Sequence, residues 1–147
     1  MTVSKMEKKI PVVSDESDLR TFLPNLLHAV PFPSIAARNP DNGLHFARSD
    51  QPGSNILDVM MADKAGMKCY RRLKTDRELK AIPVIMLSAI DKKVFYTYEW
   101  FRRTDSRTRI PEPEGFLEKP PEGEELPGLV NRLIMACNKE PGEPVHQ

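Results

Sequence analysis

Asp15, Glu16, Asp58, Ser88 and Lys119 each stand at or just beyond the end of a short apolar run. Their types together define a narrow chemistry. Carboxylates from separate segments, a hydroxyl and a lysine suit a hard cation and a phosphoryl group at the same time. Magnesium takes one or two protein carboxylates and completes its shell with phosphate oxygens and water. A carboxylate also acts as a nucleophile toward phosphorus, giving an aspartyl phosphate.

These groups meet only if the runs before them are strands of one parallel sheet that end at a common edge. The sequence supports that arrangement, because short apolar runs alternate with helical patterns. Lys9 to Val13 reads as a first strand. Ser17 to Val30 follows as a helix, its Leu19, Phe22, Leu23, Leu26, Leu27 and Val30 sharing one face, with Pro24 expected to kink it or displace its start. Ser34 to Arg38 is a weaker strand and Asn42 to Ser49 a short helix. Asn55 to Val59 is a central buried strand. Ala65 to Thr75 is a helix expected to carry Lys68, Arg71, Arg72 and Lys74 toward solvent. Pro83 to Leu87 and Gly115 to Leu117 are the last strands. The final helix gathers Leu126, Leu129, Val130, Leu133, Ile134 and Cys137 on one face. Strict alternation of this kind implies an open α/β doubly wound sheet with ligands beyond the carboxyl ends of its strands.

The remaining composition mostly excludes. With 147 residues the chain has one domain's worth of length, and 39% hydrophobic with 29% charged residues describes an ordinary globule. The 22 basic and 21 acidic side chains nearly cancel, which leaves no electrostatic footprint for nucleic acid or an anionic membrane. Neither a secretory signal nor a run of roughly 20 apolar residues is visible, so a cytoplasmic location is expected. Cys69 and Cys137 lack metal-ligand spacing and read as reduced thiols. Residues 1–8 and 139–147 read as disordered ends of a domain spanning 9–138. The 14 prolines fall mainly between elements and mark the loops.

In order and spacing, the stretches VVSDESDLR, ILDVMM, RRLKTD, IPVIMLSA and FLEKP resemble the response-regulator receiver family of two-component signalling. The resemblance covers nearly the whole chain. It implies a flavodoxin-like sheet of five parallel strands in the order 2-1-3-4-5, with helices on both faces. Asp58 then matches the phosphoacceptor and Asp15 the acid that binds Mg2+ directly, with the backbone carbonyl of Met60 as a further ligand and Glu16 or Ser14 reaching the ion through water. Ser88 matches the hydroxyl that contacts the phosphoryl oxygen, Lys119 the lysine that neutralises it, and Phe116 the switch aromatic. The Lys119–Pro120 bond stands where the family has a cis peptide.

Three departures stand out: Ser14 where an acid is expected, Ala62 where a proline is common, and a long segment between Ser88 and Lys119. Phe95, Tyr96, Tyr98, Trp100 and Phe101 in that segment serve either core packing of a rebuilt fourth helix or a docking or homodimer surface. Residues 92–113 are not expected to form one long helix, since Pro111 and Pro113 forbid it.

The function implied is a phosphoacceptor module rather than an enzyme. A sensor histidine kinase or phosphotransfer protein supplies the phosphoryl group, and a downstream protein reads the result by contact, as only a short tail follows residue 138. The alternative is a degenerate receiver that binds partners without phosphorylation. An aspartate-nucleophile phosphatase would need a second acid at position 60, where Met60 stands, and no phosphate-binding G-x-x-x-x-G-K loop is present.

Overall fold

The structure is a computed structural model, and it describes residues 9–30, 32–96 and 110–137. Five strands, β1 (Ile10–Val13), β2 (Ser34–Ala37), β3 (Asn55–Asp58), β4 (Val84–Ser88) and β5 (Gly115–Glu118), form one sheet in the order β2-β1-β3-β4-β5. Every neighbouring pair is parallel, including Val13 beside Leu57 and Asp58 beside Leu87. The expected flavodoxin-like order therefore holds.

Both faces of the sheet are covered, so its strands are apolar almost throughout. Successive side chains point to opposite faces. Ile10, Val12, Ile56, Ile85 and Leu87 pack with α1 (Ser17–Leu26) and α5 (Glu125–Cys137). Val13, Leu57, Val84 and Met86 pack on the other face with α2 (Pro40–Asp50) and α3 (Ala65–Thr75). A single turn, α4 (Lys92–Phe95), follows β4.

Several boundaries differ from the sequence expectation, each for a local reason. The first helix ends at Leu26, and Leu27–Ala29 continues as a 3-10 turn rather than reaching Val30 as α-helix. Pro24 has no N–H to give the carbonyl four residues back, which weakens the helix just before it tightens. The second helix starts at Pro40, two residues earlier than expected, because Asn39 caps it by accepting from Asn42 N at 2.9 Å and proline is favoured in the first turn.

Lys74 corrects a stronger expectation. It does not face solvent but is buried, its Nζ donating to both carboxylate oxygens of Glu114 at 2.9 Å and to the carbonyls of Lys80 and Ile82 at 3.4 and 3.3 Å. Gly66, Cys69, Tyr70, Leu73 and Lys74 form the buried stripe of α3, so position 74 lies on the inner face by spacing alone. Glu114 also accepts from Val84 N at 2.8 Å, and Tyr70 donates its hydroxyl to Pro111 O at 2.6 Å. These bonds pin the chain just before β5 at the amino end of the sheet. Burial pushes the Cys69 thiol up to about 12, which leaves it inert as a nucleophile.

At the start of β3 the polar side chains of Ser54 and Asn55 are buried at 0% and 1% exposure, and no described group pairs with the Ser54 hydroxyl or the Asn55 amide. Burying such groups without partners costs about 1–3 kcal/mol. Asn55→Leu, close in shape and free of that demand, is expected to raise unfolding stability by about 1–2 kcal/mol. Urea unfolding of the two proteins measures it, and a loss of stability contradicts this account.

Candidate functional site

The carboxyl ends of β1, β3, β4 and β5 bring the chemically distinctive residues together. Asp58 closes β3, a central strand, and is 0% exposed. An ionised carboxylate at that depth requires donors. It has them on both oxygens. Met60 N donates to Oδ1 at 2.8 Å and Lys119 Nζ to the same oxygen at 3.1 Å, while the Ser14 hydroxyl donates to Oδ2 at 2.8 Å. Lys119 extends from beyond β5 past the end of β4, and its side chain is 10% exposed. The same ammonium meets Glu16 Oε1 at 3.2 Å, so Lys119 bridges two acids.

Asp15 lies at the rim, exposed, its Oδ2 accepting from Ala62 N at 3.2 Å across the mouth of the site. Ser14 is fully buried; its Oγ accepts from Glu16 N at 3.1 Å, and its carbonyl accepts from Arg20 Nη1 at 3.0 Å. Ser88, one residue past the register partner of Asp58, turns its hydroxyl toward Met60 Sδ at 3.7 Å and accepts from Ile90 N at 3.1 Å. The backbone of Lys119 donates to Ser88 O at 2.7 Å, tying the ends of β4 and β5. The Lys119–Pro120 peptide is cis.

Phe116 is half-buried on β5 and packs with Phe95 and Tyr96, ring centroids 5.5 and 5.8 Å away. Phe95 and Tyr96 are themselves buried, and burial followed by the charge of Glu112 pushes the Tyr96 hydroxyl up to about 12. For these two aromatics core packing is the role observed. Tyr98, Trp100 and Phe101 lie outside the described residues, as do most of the segment 92–113 and both chain ends.

Among the described residues no three His, Cys, Asp or Glu side chains converge as a metal-holding cluster. The carboxylates at this edge are those of Asp15 and Asp58, with Glu16 tied to Lys119, and the sequence adds the peptide carbonyl of Met60 as an expected donor. That composition fits Mg2+, which retains most of its water, and does not fit a four-ligand zinc centre.

Residues 10–102 match the model of the response regulator receiver domain. The chain belongs to that family. Over 88 residues it is 30% identical to the polar-differentiation response regulator DivK of Brucella anthropi, a match spanning 60% of this chain and 72% of that one. The receiver also superposes on the signal receiver domain of a signal transduction histidine kinase from Syntrophus aciditrophicus, with a TM-score of 0.72 at 24% identity, covering 94% of this chain and 98% of the other. The receiver domain of a sensor histidine kinase from Pseudomonas aeruginosa has a TM-score of 0.71 at 16% identity, over 88% of this chain and 98% of that one. That structure has a magnesium ion coordinated in its active-site cleft.

Sequence reasoning does not single out the backbone donors of this receiver. The expectation for Met60 concerns its carbonyl, yet its N–H is what touches Asp58. Gly66 is a second residue that it misses. A Cβ there would stand 2.5 Å from Val59 Cα and 2.7 Å from Asp58 O, so α3 approaches the acidic strand end only because residue 66 has no side chain. A glycine in the first turn of a helix beside the key acid is the available signal. Gly66→Ala is expected to cost about 1–3 kcal/mol and displace the segment carrying Met60. Thermal unfolding and the chemical shift of the Met60 amide report both effects, and an unmoved amide in an equally stable variant defeats the explanation.

Proposed function

We propose that this receiver takes a phosphoryl group onto Asp58 from a phosphohistidine of a sensor histidine kinase or phosphotransfer protein, and passes the signal on by protein contact. The observation that carries the reading is a fully buried Asp58 paired with Lys119 at 3.1 Å at the carboxyl edge of the sheet. A carboxylate oxygen of Asp58 attacks phosphorus, and the new P–O bond forms as the P–N bond breaks. The electron pair of the broken bond stays on the imidazole, which takes up a proton. The chain is thus an acceptor that is itself modified, not a turnover enzyme.

The residues divide the work. Met60 N–H holds Asp58 Oδ1 in place. Lys119, already at Asp58, neutralises the charge delivered with the phosphoryl oxygens. Ser88 exchanges the weak sulfur acceptor of Met60 for a phosphoryl oxygen, which takes its Oγ from Ile90 N–H and so bears on the start of α4 and on Phe116. Asp15, Asp58 and the Met60 carbonyl would hold Mg2+, which when bound would supply positive charge to offset that of the carboxylate and the incoming phosphoryl group. The near balance of acidic and basic residues favours a protein target over nucleic acid or a membrane surface. No helix among the described residues is long and apolar enough to cross a membrane; we assign the domain to the cytoplasm, where such kinases present their phosphohistidine.

A second reading is favoured by one observation, the replacement of an acid by Ser14. In it the domain binds its partner without phosphorylation. Labelling separates the two. Wild-type protein incubated with a small phosphodonor and Mg2+ is expected to gain hydroxylamine-sensitive phosphate, and Asp58→Asn to gain none while unfolding as cooperatively. Equal label in Asp58→Asn moves the site elsewhere, and no label in either protein selects the second reading.

Lys119→Ala is expected to accept phosphate yet lose the change in the amide spectrum around Ser88 and Phe116 that phosphorylation produces. A wild-type spectral change in phosphorylated Lys119→Ala removes the lysine from that role.

A further inference from the structure

Ser14 does something an acid in its place cannot do. Its Oγ accepts from Glu16 N at 3.1 Å, and the proton it carries points at Asp58 Oδ2, 2.8 Å away. An ionised carboxylate only accepts, so the direction of this bond is fixed. The residue is 0% exposed, and so is its partner. With Met60 N–H and Lys119 Nζ on Oδ1, Asp58 has a donor on each oxygen from the protein alone. A carboxylate at position 14 would instead face Asp58 with like charge at short range, an arrangement that calls for a cation between them.

We infer that Ser14 is a positioning residue that latches Asp58 in the cation-free state and thereby lowers the affinity of the site for Mg2+. The inference rests on the reading of Asp58, Asp15 and Met60 as the cation-binding edge. Its physics is a difference between two states. A hydroxyl bond to a full carboxylate charge is a strong one. Once a divalent cation draws on that carboxylate, the oxygen becomes a poorer acceptor and the same bond weakens. The hydroxyl therefore favours the state without the cation, and Mg2+ must overcome it on binding. Lys119 acts in the same sense, because its ammonium, shared between Glu16 and Asp58, already supplies positive charge at the edge.

The test is calorimetric titration of Mg2+ into the unphosphorylated, chelator-treated full chain, with melting temperatures measured in chelator and in saturating Mg2+. Ser14→Ala, which removes the latch, is expected to bind Mg2+ about two- to fivefold tighter than wild type. Ser14→Asp adds a charge as well, and is expected to bind roughly tenfold tighter. Ser14→Thr keeps the hydroxyl and is expected to stay within about twofold of wild type. Both Ser14→Ala and Ser14→Asp melt below wild type in chelator, and the gap narrows in Mg2+.

A purely structural serine gives the opposite pattern, with Ser14→Ala losing stability equally in both conditions and binding Mg2+ no tighter, and that result overturns the inference. Absence of Mg2+ binding in all four proteins overturns it too. Should Ser14→Ala fail to fold, Ser14→Gly, which also removes the hydroxyl without adding charge, takes its place with the same tightening of about two- to fivefold expected, and its binding Mg2+ no tighter than wild type overturns the inference. None of these measurements uses phosphate, so they succeed or fail independently of the labelling of Asp58.

Discussion

A carboxylate with no exposure to solvent is the constraint around which this domain is organised. Asp58 sits at the end of a central strand, where water cannot solvate its charge, and an unpaired ion there would cost several kcal/mol. Everything near it answers that demand. The parallel sheet brings the ends of β1 and β5 to the same edge as β3, so that Ser14 and Lys119 reach it from opposite sides of the strand order. Gly66 lets α3 close against the Asp58 carbonyl. The site is therefore a property of the topology, and no single segment of the chain contains it.

The same demand links the site to its surroundings. Lys119 is held by its backbone to Ser88 and by its side chain to Asp58, so the ends of β3, β4 and β5 form one connected unit. Ser88 in turn is the acceptor for Ile90 N–H, two residues before α4 begins. A new acceptor for the Ser88 hydroxyl draws on a bond that shapes the entry to α4, and Phe95 of that turn packs on Phe116. The coupling needs no long-range mechanism, only adjacent groups that compete for the same partners.

The strand order is legible only through the resemblance of five short stretches to the receiver family. The alternation of strands and helices and the positions of Asp58, Ser88 and Lys119 are legible in the sequence because they depend on apolar runs and on the polar residues that end each run. Asp15 and Glu16 are legible for the same reason, though not their partners, Ala62 N and Lys119. Backbone donors such as Met60 N–H carry no residue-type signal, since every residue but proline has one. Lys74 misleads because its charge outweighs its spacing: it follows Gly66, Tyr70 and Leu73 on the inner stripe, and the acid that makes burial tolerable, Glu114, lies 40 residues away in sequence. The start of α2 is hidden because Pro40 resembles loop punctuation, whereas the Asn39 cap has already begun the helix. Asn55 is legible as a strand residue, yet nothing in the sequence announces that its side-chain polar groups, and the hydroxyl of Ser54 before it, are left without partners among the described residues.

The anchorage of Glu114 has a consequence for how such a domain can vary. Tyr96 is fixed in the core on one side, and Glu114 is pinned by Lys74 and by Val84 N–H on the other, at the end of the sheet remote from Asp58. The register of β5, and with it the placement of Lys119, is thus set by contacts made after the intervening residues have run their course. The entropic cost of closing a chain between fixed ends rises slowly, each doubling of length adding only about 0.6 kcal/mol. Between Tyr96 and Ile110 the chain has, in effect, a port: a stretch whose length and content can change while Lys119 stays in alignment with Asp58.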